Sequence, residues 1–223
     1  MRVVVSWSGG KESALACYEA IRDGLEVSYL LNFISREGRT MSHGLNPKVI
    51  AAQAHAIGIP LIQKKVTWES YEEEFKVAMR ELKKYGLEGG VFGDIDIQQH
   101  IDWVTRVCGE VGIIPFEPLW GRGEEQVLAD FIREKFEAIV VSVKANLFDV
   151  DWLGRKVDRD FIEDLKALKL KSDFHLCGEL GEYHTFVTDG PLFKKRIKLI
   201  NANKLSEEGH WFLDISDYKI VEK

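Results

Sequence analysis

Short apolar runs alternate with longer stretches of helical spacing along the first two-thirds of the chain. Residues 2–6, 27–34, 61–66, 90–93, 113–115 and 138–143 read as strands. The first, second and last are dense in Val, Ile and Leu, as expected of strands buried on both faces. Helices are predicted from the loop after the first strand to about Arg22, ending before Gly24, and then over 47–57, 69–85, 97–111 and 124–136. The second of these opens on Pro47 behind a capping Asn46 and stops at Gly58. Tyr71, Phe75, Ala78, Met79 and Leu82 share one face of the third helix. Repeated β-α-β units with short connections predict a mostly parallel sheet covered by helices on both sides. Ligands of such sheets bind at the carboxyl ends of the strands.

After Lys144 the pattern changes. A helix carrying Phe161, Ile162, Leu165 and Leu168 is followed by two β-like runs, 196–201 and 211–220, joined by a polar loop. Trp211, Leu213 and Ile215 alternate with polar neighbours, as in an antiparallel strand. The expected architecture is an α/β protein, with one domain over 1–144 and a smaller C-terminal α+β domain over 145–223.

The 223 residues are 45% hydrophobic and 30% charged, the balance of a folded globular chain. A formal charge of −6 gives no general attraction to nucleic acid or to an anionic membrane. The short basic runs at Lys64-Lys65, Lys83-Lys84 and Lys194-Lys195-Arg196 read as solvated surface. Cys17, Cys108 and Cys177 are widely spaced and odd in number, which argues against a disulfide framework, a redox pair or a zinc knuckle and fits a reducing cytoplasm. No 18-residue apolar run is present, and a strand expected to start after two residues leaves no room for a signal peptide.

Chemistry first shows in "VVVSWSGGKES", residues 3–13. Adjacent small residues let backbone N–H groups approach phosphate oxygens, and the following helix adds its positive end. Lys11 supplies a point charge and the serines supply hydroxyl donors. The spacing fits neither G-x-x-x-x-G-K-[ST] nor G-x-G-x-x-G, because Gly9 and Gly10 are adjacent. Asp94 and Asp96 follow the fourth strand and are candidates for metal or substrate contact, with Asp94 as a plain helix cap the alternative. Asn32 and Phe33 end the second strand, where they could meet a nucleobase. His43 and Gly44 could line the rim, or His43 could be an ordinary loop hydrogen-bonder. An extended reading of 182–185 puts Glu182 and His184 on one face, roughly 6.5–7 Å apart, and Tyr183 and Thr185 on the other. A turn at Gly181 could bring Glu179 close, and carboxylates beside a histidine could bind an amine or take its proton.

The hexad Ser8, Gly9, Gly10, Lys11, Glu12, Ser13 matches S-G-G-x-[DE]-S and resembles the PP-loop of the N-type ATP pyrophosphatases. In that group the loop holds the pyrophosphate end of ATP and leaves the α-phosphate open to a substrate oxygen. Taken with "MSHG" (41–44), "VFGDIDI" (91–97), "PLWG" (118–121) and "CGELGEYHTFVTDGPLF" (177–193), it resembles the diphthine–ammonia ligase family over nearly the whole chain. The resemblance implies a HUP-like (adenine nucleotide alpha hydrolase-like) ATP-binding domain followed by a substrate domain. It implies adenylation of diphthine on a translation elongation factor, loss of pyrophosphate, and attack by ammonia, with Mg²⁺ assisting; a homodimer is left open.

On this reading ATP is held by Ser6, Ser8, Gly9, Gly10, Lys11, Ser13, Asn32, Phe33, His43 and Gly93. Lys11, Asp94, Glu182 and His184 are the catalytic candidates, and Asp94 is also the metal ligand. Asp96, Gly178, Glu179, Gly181, Tyr183 and Thr185 are expected to meet the substrate. Two departures bear on the acceptor. The family usually has Asp where Glu12 stands, and members tied to diphthamide read G-E-G-G-E-[YF]-E-T where this chain has Leu180 and His184. A PP-loop amidating enzyme with another substrate, such as one of cobalamin salvage, is therefore kept beside the main reading. So is a non-catalytic ATP sensor, although its G-x-x-G-x₉-G-[ST] string is absent. A tRNA thiolase fits less well, for want of paired cysteines.

Overall fold

The computed structural model describes residues 1–41 and 43–223, so Ser42 of the "MSHG" string lies outside the described residues. Five parallel strands form the first sheet: β1 (Arg2–Ser6), β2 (Glu26–Ile34), β3 (Leu61–Lys65), β4 (Gly89–Val91) and β5 (Ile114–Phe116), in the order β3-β2-β1-β4-β5. The helices between them are α1 (Lys11–Arg22), α2 (Pro47–Ile57), α3 (Tyr71–Lys83) and α4 (Gln98–Val111), followed after β5 by α5 (Glu124–Arg133). The valines of β1 divide by the pleat: Val3 and Val5 join the core under α1 and α2, and Val4 joins the core under α3 and α4. Both faces are thus buried, as an all-parallel sheet requires.

Local chemistry explains the helix ends. Asn46 accepts from the Lys48 amide at 3.0 Å, Pro47 opens α2, and Gly58 ends it at a left-handed φ of 82°. Glu72, Glu73 and Glu74 sit in the first turn of α3, with Arg80 and Lys83 in its last, which complements the helix dipole.

The chain builds β1 to β3 outward and then crosses back to β4. That places the switch point between β1 and β4, with the glycine loop on one side and residues 92–97 on the other. Gly93 packs there so closely that an added Cβ would lie 2.9 Å from the Glu12 carbonyl carbon.

Four antiparallel strands form the second sheet: β6 (Glu137–Lys144), β7 (Tyr183–Asp189), β8 (Lys195–Glu207) and β9 (His210–Glu222), in the order β7-β6-β9-β8. A 3-10 turn (Val150–Trp152) and α6 (Arg159–Lys169) lie between β6 and β7. The strand expected over 138–143 as part of the parallel sheet pairs instead with β7 and β9. Its run of valines is buried on both faces in either setting, so the pattern does not distinguish them. The polar loop expected after residue 201 is strand as well. β8 continues to Glu207 and turns at Glu208 and Gly209, whose φ values of 47° and 79° suit a tight hairpin. The second sheet docks on the first unit through Lys194 N–H to Ala56 O (2.8 Å), Tyr218 OH to Lys48 O (3.1 Å) and Val187 N–H to Gly9 O (3.0 Å). No helix among the described residues is long and apolar enough to cross a membrane.

Candidate active site

The glycine loop is shaped by both sheets. Gly9 has a φ of 86°, and a Cβ there would lie 2.5 Å from Ile50 Cδ1. Gly10 is extended and takes the N-cap position of α1 with no side chain of its own to cap the helix. The Gly10 amide donates to Ser8 Oγ at 3.2 Å, and Ser13 Oγ donates to Gly10 O at 3.0 Å. From the other sheet, Thr185 Oγ1 accepts the Lys11 amide at 3.0 Å. Gln53 Nε2 donates to Gly9 O (2.9 Å) and Val187 O (2.6 Å), fixing loop and strand together.

A cleft of about 240 Å³ opens above this loop. Ser6, Ser8, Lys11, Ser13, His43, Gly93 and Asp94 line it from the first lobe, and Gly178, Glu179, Tyr183, His184 and Thr185 from the second. Of the residues expected in the site, Gly9, Gly10, Asn32, Phe33, Asp96, Gly181 and Glu182 are not among those lining it.

Glu182 is a staple instead. Its oxygens accept from the His175 amide (2.8 Å) and the Leu180 amide (2.9 Å), closing the turn made by Gly178 and Gly181 at φ values of 76° and 79°. The extended reading of 182–185 failed at its first residue, because β7 starts only at Tyr183 and the buried turn before it needs an acceptor. Asp96 accepts from His175 Nε2 at 3.0 Å.

Lys11 is only 2% exposed. Its ammonium donates to Cys177 O at 2.6 Å, lies 2.6 Å from Glu12 Oε1, and sits 4.3 Å above the centre of the Tyr183 ring. Burial works to lower its pKa, but Glu12, Tyr183 and Cys177 together raise it above the usual lysine range. The charge therefore ties the two lobes at the edge of the cleft.

His43 and His184 meet across the lobes, with ring centres 4.3 Å apart. Burial, then the charge of Lys11, pushes His43 down to about 3. Burial, His43 and Lys11 hold His184 well below the ordinary imidazole range. Both rings are neutral near pH 7.

The acids gather opposite. Asp94 does not cap α4, whose N-cap is Ile97. It bonds His100 Nδ1 at 3.0 Å, and one ligand atom each from Asp94, His100 and Glu179 falls within 4.8 Å of the others. Burial, Glu12 and Asp94 push Glu179 up to about 9. Glu117, at the end of β5, is pushed up to about 7 by burial and by Asp94. Sequence reasoning did not reach His100 or Glu117, although both sit at the carboxyl edge of the sheet, where ligand chemistry is expected.

A second pocket of about 120 Å³ shares Ser6, Ser8 and His43 with the cleft. Asn32 and Phe33 line it with Trp7, Met41, Trp68 and Tyr71. Asn32 is anchored, donating to Trp7 O at 2.9 Å and accepting from Gln63 at 3.2 Å. Trp68 is 70% exposed, and Tyr71 packs on Phe33 at a tilt of 55° with ring centres 4.6 Å apart. These two aromatics were unforeseen as site residues because the helical pattern assigns Tyr71 to a packing face.

A doubly wound parallel sheet with an anion-ready glycine loop at its switch point, faced by a second antiparallel lobe, defines the class of protein. Residues 1–115 match the diphthamide synthase N-terminal domain and residues 123–221 the diphthamide synthase C-terminal domain. The chain belongs to the diphthamide synthase family. It is 26% identical over 245 residues to the diphthine–ammonia ligase of Bos taurus, covering 100% of this chain and 91% of that protein. The enzyme of the same name from Rattus norvegicus is 29% identical over 219 residues, covering 88% and 82%. That of Schizosaccharomyces pombe is 29% identical over 219 residues, which make up 89% of this chain but 36% of that protein. A solved structure described as a predicted subunit of tRNA methyltransferase from Methanocaldococcus jannaschii aligns with a TM-score of 0.46 at 16% identity over 86% of this chain and 98% of that one, too loosely to bear on function.

Proposed function

We propose that this chain is a diphthine–ammonia ligase, which activates the diphthine carboxylate of a translation elongation factor with ATP and replaces the activating group with ammonia. The observation that carries the reading is the cleft: the start of α1, with a glycine at its N-cap, and its glycine loop on one lobe face residues 177–185 of the other across about 240 Å³. The adenine would lie against Trp68 and Tyr71, and the pyrophosphate end over residues 8–13. The α-phosphorus then falls near His43, where the two cavities join.

A carboxylate is a poor acyl donor because its oxide leaves badly. One carboxylate oxygen attacks the α-phosphorus, the bond to the bridging oxygen breaks, and pyrophosphate departs. Ammonia nitrogen then attacks the acyl carbon, the bond to AMP breaks, and one N–H proton is released. Positioning and charge neutralisation are the protein's share of this work. The amides at the start of α1 and the hydroxyls of Ser8 and Ser13 receive the phosphate oxygens. Neutral His43 and His184 place hydrogen-bonding nitrogens beside the reacting centre without adding charge.

The donor set fits a hard cation in part. Asp94 and Glu179 offer the oxygens Mg²⁺ takes, whereas His100 suits an orienting role on Asp94. Mg²⁺ held there would neutralise phosphate oxygens as pyrophosphate leaves.

Incubation with ATP, ammonium and a diphthine-bearing elongation factor should give AMP and pyrophosphate in equal amounts, with the amide detected by mass spectrometry. ADP in place of AMP would remove the ligase reading. AMP made only with a different carboxylate would keep the chemistry and change the acceptor, the point at which His184 and Leu180 depart from the family pattern.

A further inference from the structure

Three cavities meet at His43. Besides the phosphate cleft and the aromatic pocket it lines a third, larger groove of about 670 Å³. His184 lines both the cleft and this groove, so the two histidine rings, tilted by 33° and in contact, stand at the junction. A nucleotide bound as proposed above fills two of the three branches. The third branch is left for the acceptor. We infer that this groove, between residues 35–39, Trp68 and the turn of the β8–β9 hairpin, is the subsite through which the acceptor's carboxylate reaches the nucleotide, and that it selects an acceptor carrying positive charge beside that carboxylate. The inference rests on the ligase reading.

The groove is built for a guest. Its floor is Phe212, which packs so closely on Gly44 that a Cβ there would lie 3.0 Å from the ring. His43 is 8% exposed, and its Nδ1 is buried without a hydrogen-bond partner among the described residues. A buried polar atom left unpaired is costly, and an entering carboxylate-bearing group can answer it at this junction. The walls are acidic. Arg39 is engaged by Asp214 at 2.6 Å, whereas Glu37, Glu207 and Glu208 form no ion pair among the described residues. Three carboxylates outside any ion pair suit a cation and repel a second anion.

The test uses the full chain. Its own cysteines are all buried, so a cysteine placed in the groove is labelled selectively. Leu205 on β8 lines the groove and is 45% exposed; Ile200 on the same strand is 41% exposed and lies outside it. Leu205→Cys and Ile200→Cys are each coupled to a bulky maleimide. AMP formation is then measured with a diphthine-bearing elongation factor, and ATP affinity by titration. The label at 205 should cut AMP formation about tenfold or more and leave the ATP Kd within about twofold, with the label at 200 changing neither. The double variant Glu207→Gln, Glu208→Gln should raise the acceptor KM about threefold or more while kcat holds. Equal AMP formation from both labelled proteins overturns the subsite while the ligase reading stands. Lost ATP affinity at 205 also overturns it, by making the groove part of the nucleotide site. No AMP from the unlabelled protein removes the ligase reading and the subsite with it.

Discussion

Glu117 shows how a single side chain can be set against the rest of its site. One of its oxygens is buried without a partner among the described residues, and burial with the nearby charge of Asp94 pushes its carboxyl up to about 7. The folded protein therefore binds this proton more tightly than the unfolded chain, whose glutamates titrate near 4.3. Its own contribution to stability is fully present below the unfolded value and is lost as pH rises through about 7, where the folded-state group ionises. Glutamine mimics the protonated form. Glu117→Gln should raise the melting temperature clearly at pH 8 and much less at pH 5; shifts of equal size at both would show that the carboxyl is not perturbed. Such a residue leaves no mark in a sequence, because its character comes from what surrounds it. The glycine loop is the opposite case: six consecutive residues carry its geometry, and it is where the string places it. Glu182 lies between, a residue type recognised as chemical whose oxygens the fold turns onto two amides.

At the scale of elements, legibility followed burial pattern. The βα repeats of the first lobe announce themselves because each strand is apolar on both faces and each helix on one. The outer half of β8 could not be seen, because residues 200–208 are exposed throughout and carry no alternation to read. The position of β6 was hidden for the reverse reason, since a doubly buried strand reads alike in either sheet. What joins elements is less visible still. Gln53, wholly buried on α2, accepts from Trp7 Nε1 at 3.1 Å while donating to Gly9 O and Val187 O. From the sequence it is one polar residue in an apolar helix. Gln53→Leu keeps the volume, strips the indole of its partner and takes one bond from each carbonyl. The expected cost is about 2–3 kcal/mol by denaturant unfolding, with a weaker ATP affinity because Gly9 is no longer held. A variant as stable as the parent that bound ATP equally well would mean the loop needs no such brace.

The same ties decide how the whole molecule unfolds. One core runs without a break from Val3, Val5 and Leu15 of the first lobe to Val140, Phe186 and Phe193 of the second. The glycine loop lies on that seam, with Thr185 Oγ1, the Val187 amide and the Cys177 carbonyl all bonded to residues 9–11. Two lobes that shared only a flexible link would melt apart, and ATP would protect the first alone. The proposed nucleotide surface is complete only while β7 is in place, so binding there must draw on the stability of both. Ligand at about 100 times its Kd adds roughly 2.7 kcal/mol to the native state, which for a chain of this size is a rise of about 5–10 °C. A scan followed by far-ultraviolet circular dichroism and by hydrogen exchange of β1 and β7 amides should show one transition, moved by ATP to the same extent in both strands. If β7 amides exchanged early and ATP slowed only those of β1, the lobes would be independent, and the cradle would have to be assembled by the nucleotide itself. Lys11→Ala sharpens the distinction. The lysine bridges the lobes as well as edging the cleft, so its removal should lower the melting temperature and the ATP affinity together.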